Sequence, residues 1–207
     1  MAVACIFSFH TIQSPSEGVY KEKGSKFLGF AYPVSDESGI KNKLGELHKK
    51  YFDASHHCYA WILGEDKKHF RAFDDGEPNH SAGAPILGQI RSKNLTNVLI
   101  VVVRYFGGTK LGVGGLTQAY KAAAELALTN AKIIEVEITV SLVLDYDYIS
   151  SPEVMRLVKE FDLSIENQTY DERARMEVSV KSKLKEKTIE KLKLLNVTGT
   201  KIRFKEK

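Results

Sequence analysis

The sequence predicts an α+β protein built of two domains, and three observations carry that reading. The 207 residues are 43% apolar and 27% charged, an ordinary globular balance. Short β-branched runs alternate with helical apolar spacing along the whole chain. The style of the chain then changes near residue 132. Most glycines, all six histidines and the single tryptophan precede that point, and plain strands with charged helices follow it. The domains are drawn at residues 1–132 and 137–207.

In the first domain, residues 24–34 and 56–63 have strand character, with a helix over 40–52 between them. A short strand at 70–73 enters the turn Asp74-Asp75-Gly76-Glu77-Pro78. Ser81 is placed to cap a helix over 82–91. The unbroken apolar run 98–103 reads as a strand buried on both faces. A glycine-rich stretch follows, and a helix is expected from Thr117. The order is roughly β-β-α-β-β-α-β-α.

The second domain opens with alternation over 137–148, where Ile138, Val140, Leu142, Leu144 and Tyr146 share a face. Ser151-Pro152-Glu153 starts a helix. Strands at 163–170 and 173–181 flank an Asp171-Glu172 turn. A helix over 184–195 and a strand over 197–204 complete the order β-α-β-β-α-β, the split ferredoxin-like pattern.

Composition limits function only loosely. A net charge of +4 permits a polyanionic partner without demanding one. Cys5 and Cys58 are too few for a disulfide framework, so a reducing, cytoplasmic setting is expected. Residues 1–9 lack the basic flank and long apolar core of a secretion signal, and no run approaches a membrane span.

Chemistry concentrates in residues 104–116. Five glycines, Gly107, Gly108, Gly112, Gly114 and Gly115, fall within nine residues beside Arg104 and Lys110. Glycine at that density serves either left-handed turns or close approach to bare amides. Amides ahead of a helix, with two cations near, suit an anion. The competing reading is a structural turn with solvated cations. Neither the Walker A spacing nor the dinucleotide fingerprint is present.

Asp74, Asp75 and Glu77 cluster within four residues, as oxygen ligands of a divalent cation do, although surface turns have the same composition. His56-His57-Cys58 invites a zinc or nucleophile reading. Without a Cys-x-x-Cys partner, a satisfied half-buried strand is the better account. No complete catalytic set is found, and no metal site is assigned. Ten Lys or Arg against three acidic residues from 181 onward form a second candidate polyanion surface, or a solvated helix face.

Together these blocks resemble the IMPACT (YigZ) family. The resemblance rests on Ser25-Lys26-Phe27, His57-Cys58-Tyr59-Ala60 and Asp74-Asp75-Gly76-Glu77-Pro78. It continues through Ala82-Gly83-x-Pro85-x-Leu87, then residues 102–116, and Ala119-Tyr120. One departure is Asn79-His80-Ser81, where family members carry small hydroxyl residues. The resemblance implies a first domain like the second domain of a small-subunit ribosomal protein, a fold shared with GHMP kinases. It implies a ferredoxin-like second domain. Eukaryotic relatives are linked to translational control through protein contacts, and bacterial members are suspected of binding nucleic acid or the ribosome.

The expectation is therefore a translation-associated regulator that binds RNA or a ribosomal partner, with protein partners also open. Its anion-binding residues would be Arg104, Gly107, Gly108, Lys110, Gly112, Gly114 and Gly115. A cleft would add Lys26, His57, Asp74, Asp75 and Glu77. No cofactor is expected. The alternative is a phosphate-binding enzyme or small-molecule binder, in which the carboxylates hold Mg²⁺. Either way, Arg104→Ala and Lys110→Ala are expected to spare stability.

Overall fold

The computed structural model describes residues 6–207, so Cys5 lies outside the described residues. They divide into two compact units, Ser8–Val136 and Glu137–Lys207, the latter joined by Ile6 and Phe7.

The first unit contains β1 (Ser8–Ile12), β2 (Ser16–Glu22), β3 (Ser25–Pro33), α1 (Glu37–Lys50), β4 (His56–Leu63) and β5 (His69–Phe73). It continues with α2 (Gly83–Ser92), β6 (Val98–Tyr105), α3 (Gly112–Thr129) and β7 (Ile133–Glu137). Five strands form an antiparallel sheet in the order β2-β3-β6-β4-β5. Strand β6 lies at its centre, and Val98 through Val103 have no exposed surface. Val98, Ile100 and Val102 pack under α2 and α3, whereas Leu99, Val101 and Val103 pack with Ile40 and Leu47 of α1. An all-apolar strand is stable only when both faces are covered, as here.

Helix α1 begins three residues earlier than its apolar spacing indicates, because Asp36 caps it by accepting from the Gly39 amide at 2.8 Å. Its last turn carries His48, Lys49 and Lys50, which complement the helix dipole. Helix α3 lies so close to β3 that a Cβ on Gly29 would stand 2.4 Å from the Ala123 carbonyl oxygen. Strands β1 and β7 pair as a separate two-stranded sheet. They went unread in the sequence because they are short and only two of their ten residues are buried.

The second unit comprises β8 (Thr139–Tyr146), α4 (Ser151–Glu160), β9 (Ser164–Tyr170), β10 (Ala174–Lys181), α5 (Lys185–Val197) and β11 (Ile202–Glu206). The antiparallel sheet runs β11-β8-β10-β9. Leu142, Leu144, Tyr146, Met176 and Val178 face Val154, Leu157 and Leu192 of the helices. The last strand starts later than residue 197. Asn196 closes a turn there, donating to the Ile202 carbonyl at 2.7 Å and accepting from its amide at 2.8 Å. Gly199 supplies the positive φ of 103° that this turn requires. No helix among the described residues is long and apolar enough to cross a membrane.

Candidate functional site

Strand alternation decides which side chains meet. In β6, Arg104 follows Val102 on the face beneath α3, with His56 of β4 and Phe27 of β3 as its cross-strand neighbours. Arg104 is buried, 5% exposed. Its Nη1 donates to Glu77 Oε1 at 2.5 Å, and the same oxygen accepts from the Tyr120 hydroxyl at 2.8 Å. Cys58 Sγ lies 3.3 Å from that hydroxyl and 3.0 Å from the Asp74 carbonyl oxygen. The guanidinium sits between two rings, 5.4 Å from the Phe27 centroid and 5.6 Å from that of Phe106. Its Nε has no hydrogen-bond partner. Burial pushes both the Cys58 thiol and the Tyr120 hydroxyl up from their ordinary values. Both stay protonated, so Cys58 is no nucleophile at neutral pH.

The three carboxylates of the acidic turn have separate tasks. Asp74 Oδ1 accepts from the Ala82 amide at 3.0 Å and the Gly83 amide at 2.8 Å, while Oδ2 accepts from His80 N at 2.9 Å. Asp74 thus caps α2, the role expected of Ser81. The Ser81 hydroxyl donates instead to the Pro78 carbonyl. Asp75 accepts from the His57 amide at 2.6 Å and turns its own carbonyl to His56 Nδ1 at 2.7 Å. Glu77 alone points inward to Arg104. Among the described residues, no group of three or more His, Cys, Asp or Glu is placed to hold a metal ion.

The five glycines also separate. Gly107 is needed by the fold: a Cβ there would lie 1.9 Å from the Gly24 carbonyl carbon, and its amide donates to Ser25 Oγ at 3.1 Å. Gly108 and Gly112 have positive φ, 84° and 70°. Gly114 has neither constraint, since no atom lies within 4 Å of its added Cβ. Helix α3 begins at Gly112, five residues before its expected start. Gly112, Gly114 and Gly115 therefore form a helical first turn rather than loop. Leu111 at the N-cap offers no side-chain acceptor, and no acidic residue occupies that turn. The amides there lack intrahelical partners.

That turn opens on a cleft of about 310 Å³. Glu77, Arg104, Lys110 and Gly112 form its polar side, and Pro78, Phe106, Leu111, Val113 and Leu116 its apolar side. The acidic turn and the glycine stretch therefore share one cleft. Of the five expected cleft residues only Glu77 lines it: Asp74 and Asp75 are taken up by backbone amides, and His57 and Lys26 lie elsewhere. His57 alternates to the opposite sheet face, where its ring packs against that of His48 of α1, tilted by 32° with centroids 4.0 Å apart. Burial, reinforced by His48, holds its imidazole below the ordinary value. Lys26 alternates with Phe27, whose ring meets Tyr120 at 5.1 Å, and so points away from the cleft as well. Tyr120, Phe106, Val113 and Leu116 were missed as site residues. Positions 113, 116 and 120 share a helical face, which was the available signal.

The basic C-terminal surface is half engaged. Lys181, Lys183, Lys185, Lys191 and Lys207 each pair with a carboxylate among Glu137, Asp162, Glu206, Glu160 and Glu177. Five of its ten cations are thus locally neutralised, which favours the helix-face reading over a polyanion surface.

The cleft lies within a stretch with known counterparts: residues 23–128 match the family model described as the Impact N-terminal domain. The chain belongs to the IMPACT family. The IMPACT family member YvyE of Bacillus subtilis is 29% identical over 178 residues, covering 86% of this chain and 82% of the relative. An IMPACT family member of Haemophilus influenzae is 32% identical over 173 residues, 81% of each. A crystal structure of a hypothetical protein superposes with TM-score 0.72 at 26% identity, covering 96% of this chain and 97% of that one.

Proposed function

We propose that this IMPACT-family protein is a translation-associated regulator that binds RNA or a ribosomal partner through the cleft under the N-terminus of α3. One observation carries the reading. An uncapped helix start, with Lys110 beside it, opens onto the same cleft as the buried Arg104–Glu77 pair. Oriented amides and a cation attract a phosphate without identifying a sequence. The link to translation comes from the resemblance to eukaryotic relatives. The second unit's strand order supports its ferredoxin-like assignment, and the ribosomal-protein-like assignment of the first rests on the resemblance.

Filter binding of ribosomal RNA at low and physiological salt tests the proposal. Binding should be micromolar at low salt, weaken steeply as salt rises, and fall with Lys110→Glu. Affinity only in the millimolar range, or insensitive to salt, would overturn it.

A second reading is favoured by the cleft's largely apolar lining: a small anionic molecule as ligand. Asp74 and Asp75, engaged with backbone amides, leave the Mg²⁺-dependent version little support. A thermal-shift screen of nucleotides with and without Mg²⁺ separates the two, because a tight ligand raises the melting temperature.

A further inference from the structure

Apart from the cleft and whatever it binds, we infer that the free edge of β5 accepts an extended, acidic segment of a partner protein as a sixth strand of the five-stranded sheet. The edge is open. Strand β5 pairs with β4 in unbroken register, from Leu63 with His69 to Tyr59 with Phe73, and all five of its residues are exposed. Among the described residues no other strand or loop backbone bonds to its outer side. Alternate amides and carbonyls of such an edge point outward, a template for another chain. At the opposite edge of the sheet a side chain reaches the backbone, Asn130 Nδ2 donating to the Glu17 carbonyl at 2.8 Å.

The features that commonly blunt an edge are missing from residues 69–73, which contain no lysine, proline or bulge. Phe70 and Phe73 are instead 46% and 40% exposed, one on each face of the strand. An added strand would cover both.

Charge selects the occupant. Arg91 of α2 lies 4.4 Å from the Phe70 ring centroid on one face, and Arg71 lies 5.8 Å from that of Phe73 on the other. The ion pairs of this unit engage Lys43, His56, Lys68, His69 and Arg104, but neither of these arginines. Each face therefore offers an incoming strand an aromatic ring and an unpaired guanidinium, which apolar and carboxylate side chains complete. A second copy of β5 is disfavoured. Antiparallel pairing over the whole strand centres on Arg71 and sets arginine opposite arginine. Nucleic acid answers the arginines but supplies no strand-spaced amides.

The test is fluorescence anisotropy of the full chain with a short labelled peptide alternating valine and glutamate. The controls are its lysine counterpart and two glutamate peptides, each N-methylated on one alternate set of amides. The glutamate peptide should bind roughly tenfold or more tightly than the lysine peptide. One N-methylated set should abolish binding and the other spare it, because only one edge of the added strand faces β5. Arg71→Glu should reverse the charge preference with the melting temperature unchanged, since that side chain is exposed. Amide exchange read by NMR should slow at alternate residues of β5 when the peptide is added. No binding of the glutamate peptide, equal binding of both charges, tolerance of both N-methylated sets, or unchanged exchange in β5 would each overturn the inference. Slowing of β5 exchange with protein concentration alone would give the edge to a second copy, and displacement of the peptide by ribosomal RNA would give the arginines to nucleic acid; either result overturns it.

Discussion

Arg104 and Glu77 stand 27 positions apart in the chain and meet at 2.5 Å, with side chains only 6% and 4% exposed. The contact ties the central strand of the sheet to the acidic turn ahead of α2. Tyr120 adds a third tie from α3. The cleft floor is thus one hydrogen-bonded unit drawn from three elements.

Arg104→Ala should therefore destabilise the first unit, contrary to what the sequence alone indicates. Removing one member of a buried ion pair leaves the other charge uncompensated and costs about 3–5 kcal/mol. Replacing both, as Arg104→Met with Glu77→Leu, should recover most of that loss, because apolar groups of similar volume need no partner. Urea denaturation of the two singles and the double measures the coupling. A single Arg104→Ala variant as stable as wild type would contradict the buried-pair account.

Gly107 and Gly114, seven positions apart, yield opposite signs. Gly107→Ala drives a Cβ into the Gly24–Ser25 backbone and should unfold the 106–111 connection or shift β3. Gly114→Ala meets no atom and should be neutral or stabilising by up to about 1 kcal/mol. Thermal melts of both variants decide it, and a destabilised Gly114→Ala protein would show that something packs on that turn.

The contrast explains what the sequence could disclose. An unbroken apolar run reveals β6, and period-2 and period-3.6 patterns reveal β8, β10 and α4, because burial imposes them on the residue order. The role of Arg104 is hidden, since its partner is delivered by antiparallel pairing of β4 with β6 and by the fold of a turn. The capping role of Asp74 is hidden because a helix cap reached from eight residues upstream leaves no local signature. The start of α3 was obscured by its own glycines, whose low helical propensity outweighed the helical face that Val113, Leu116 and Tyr120 form.

Cys58 should be almost inert to alkylation in the folded protein. It is fully buried, lies near the Tyr120 hydroxyl and the Asp74 carbonyl, and burial holds the thiol protonated. Iodoacetamide labelling followed by peptide mass mapping should show Cys58 modified many times faster in denaturant than in buffer. Comparable rates would mean that the cleft floor opens readily.

His57 gives a pH dependence with a defined sign. Its folded-state pKa is lowered, chiefly by burial and then by His48, so the unfolded chain takes up the proton more readily. The stability it contributes is fully present above about pH 6.5 and declines as pH falls from there toward the depressed folded value. Protonation would place a charge on a ring that is 5% exposed, with Nε2 unpartnered and a second imidazole packed against it. Urea midpoints at neutral and mildly acidic pH should therefore fall on acidification, and His57→Gln should fall less across the same interval. Parallel losses in the two proteins would assign the acid sensitivity to other groups.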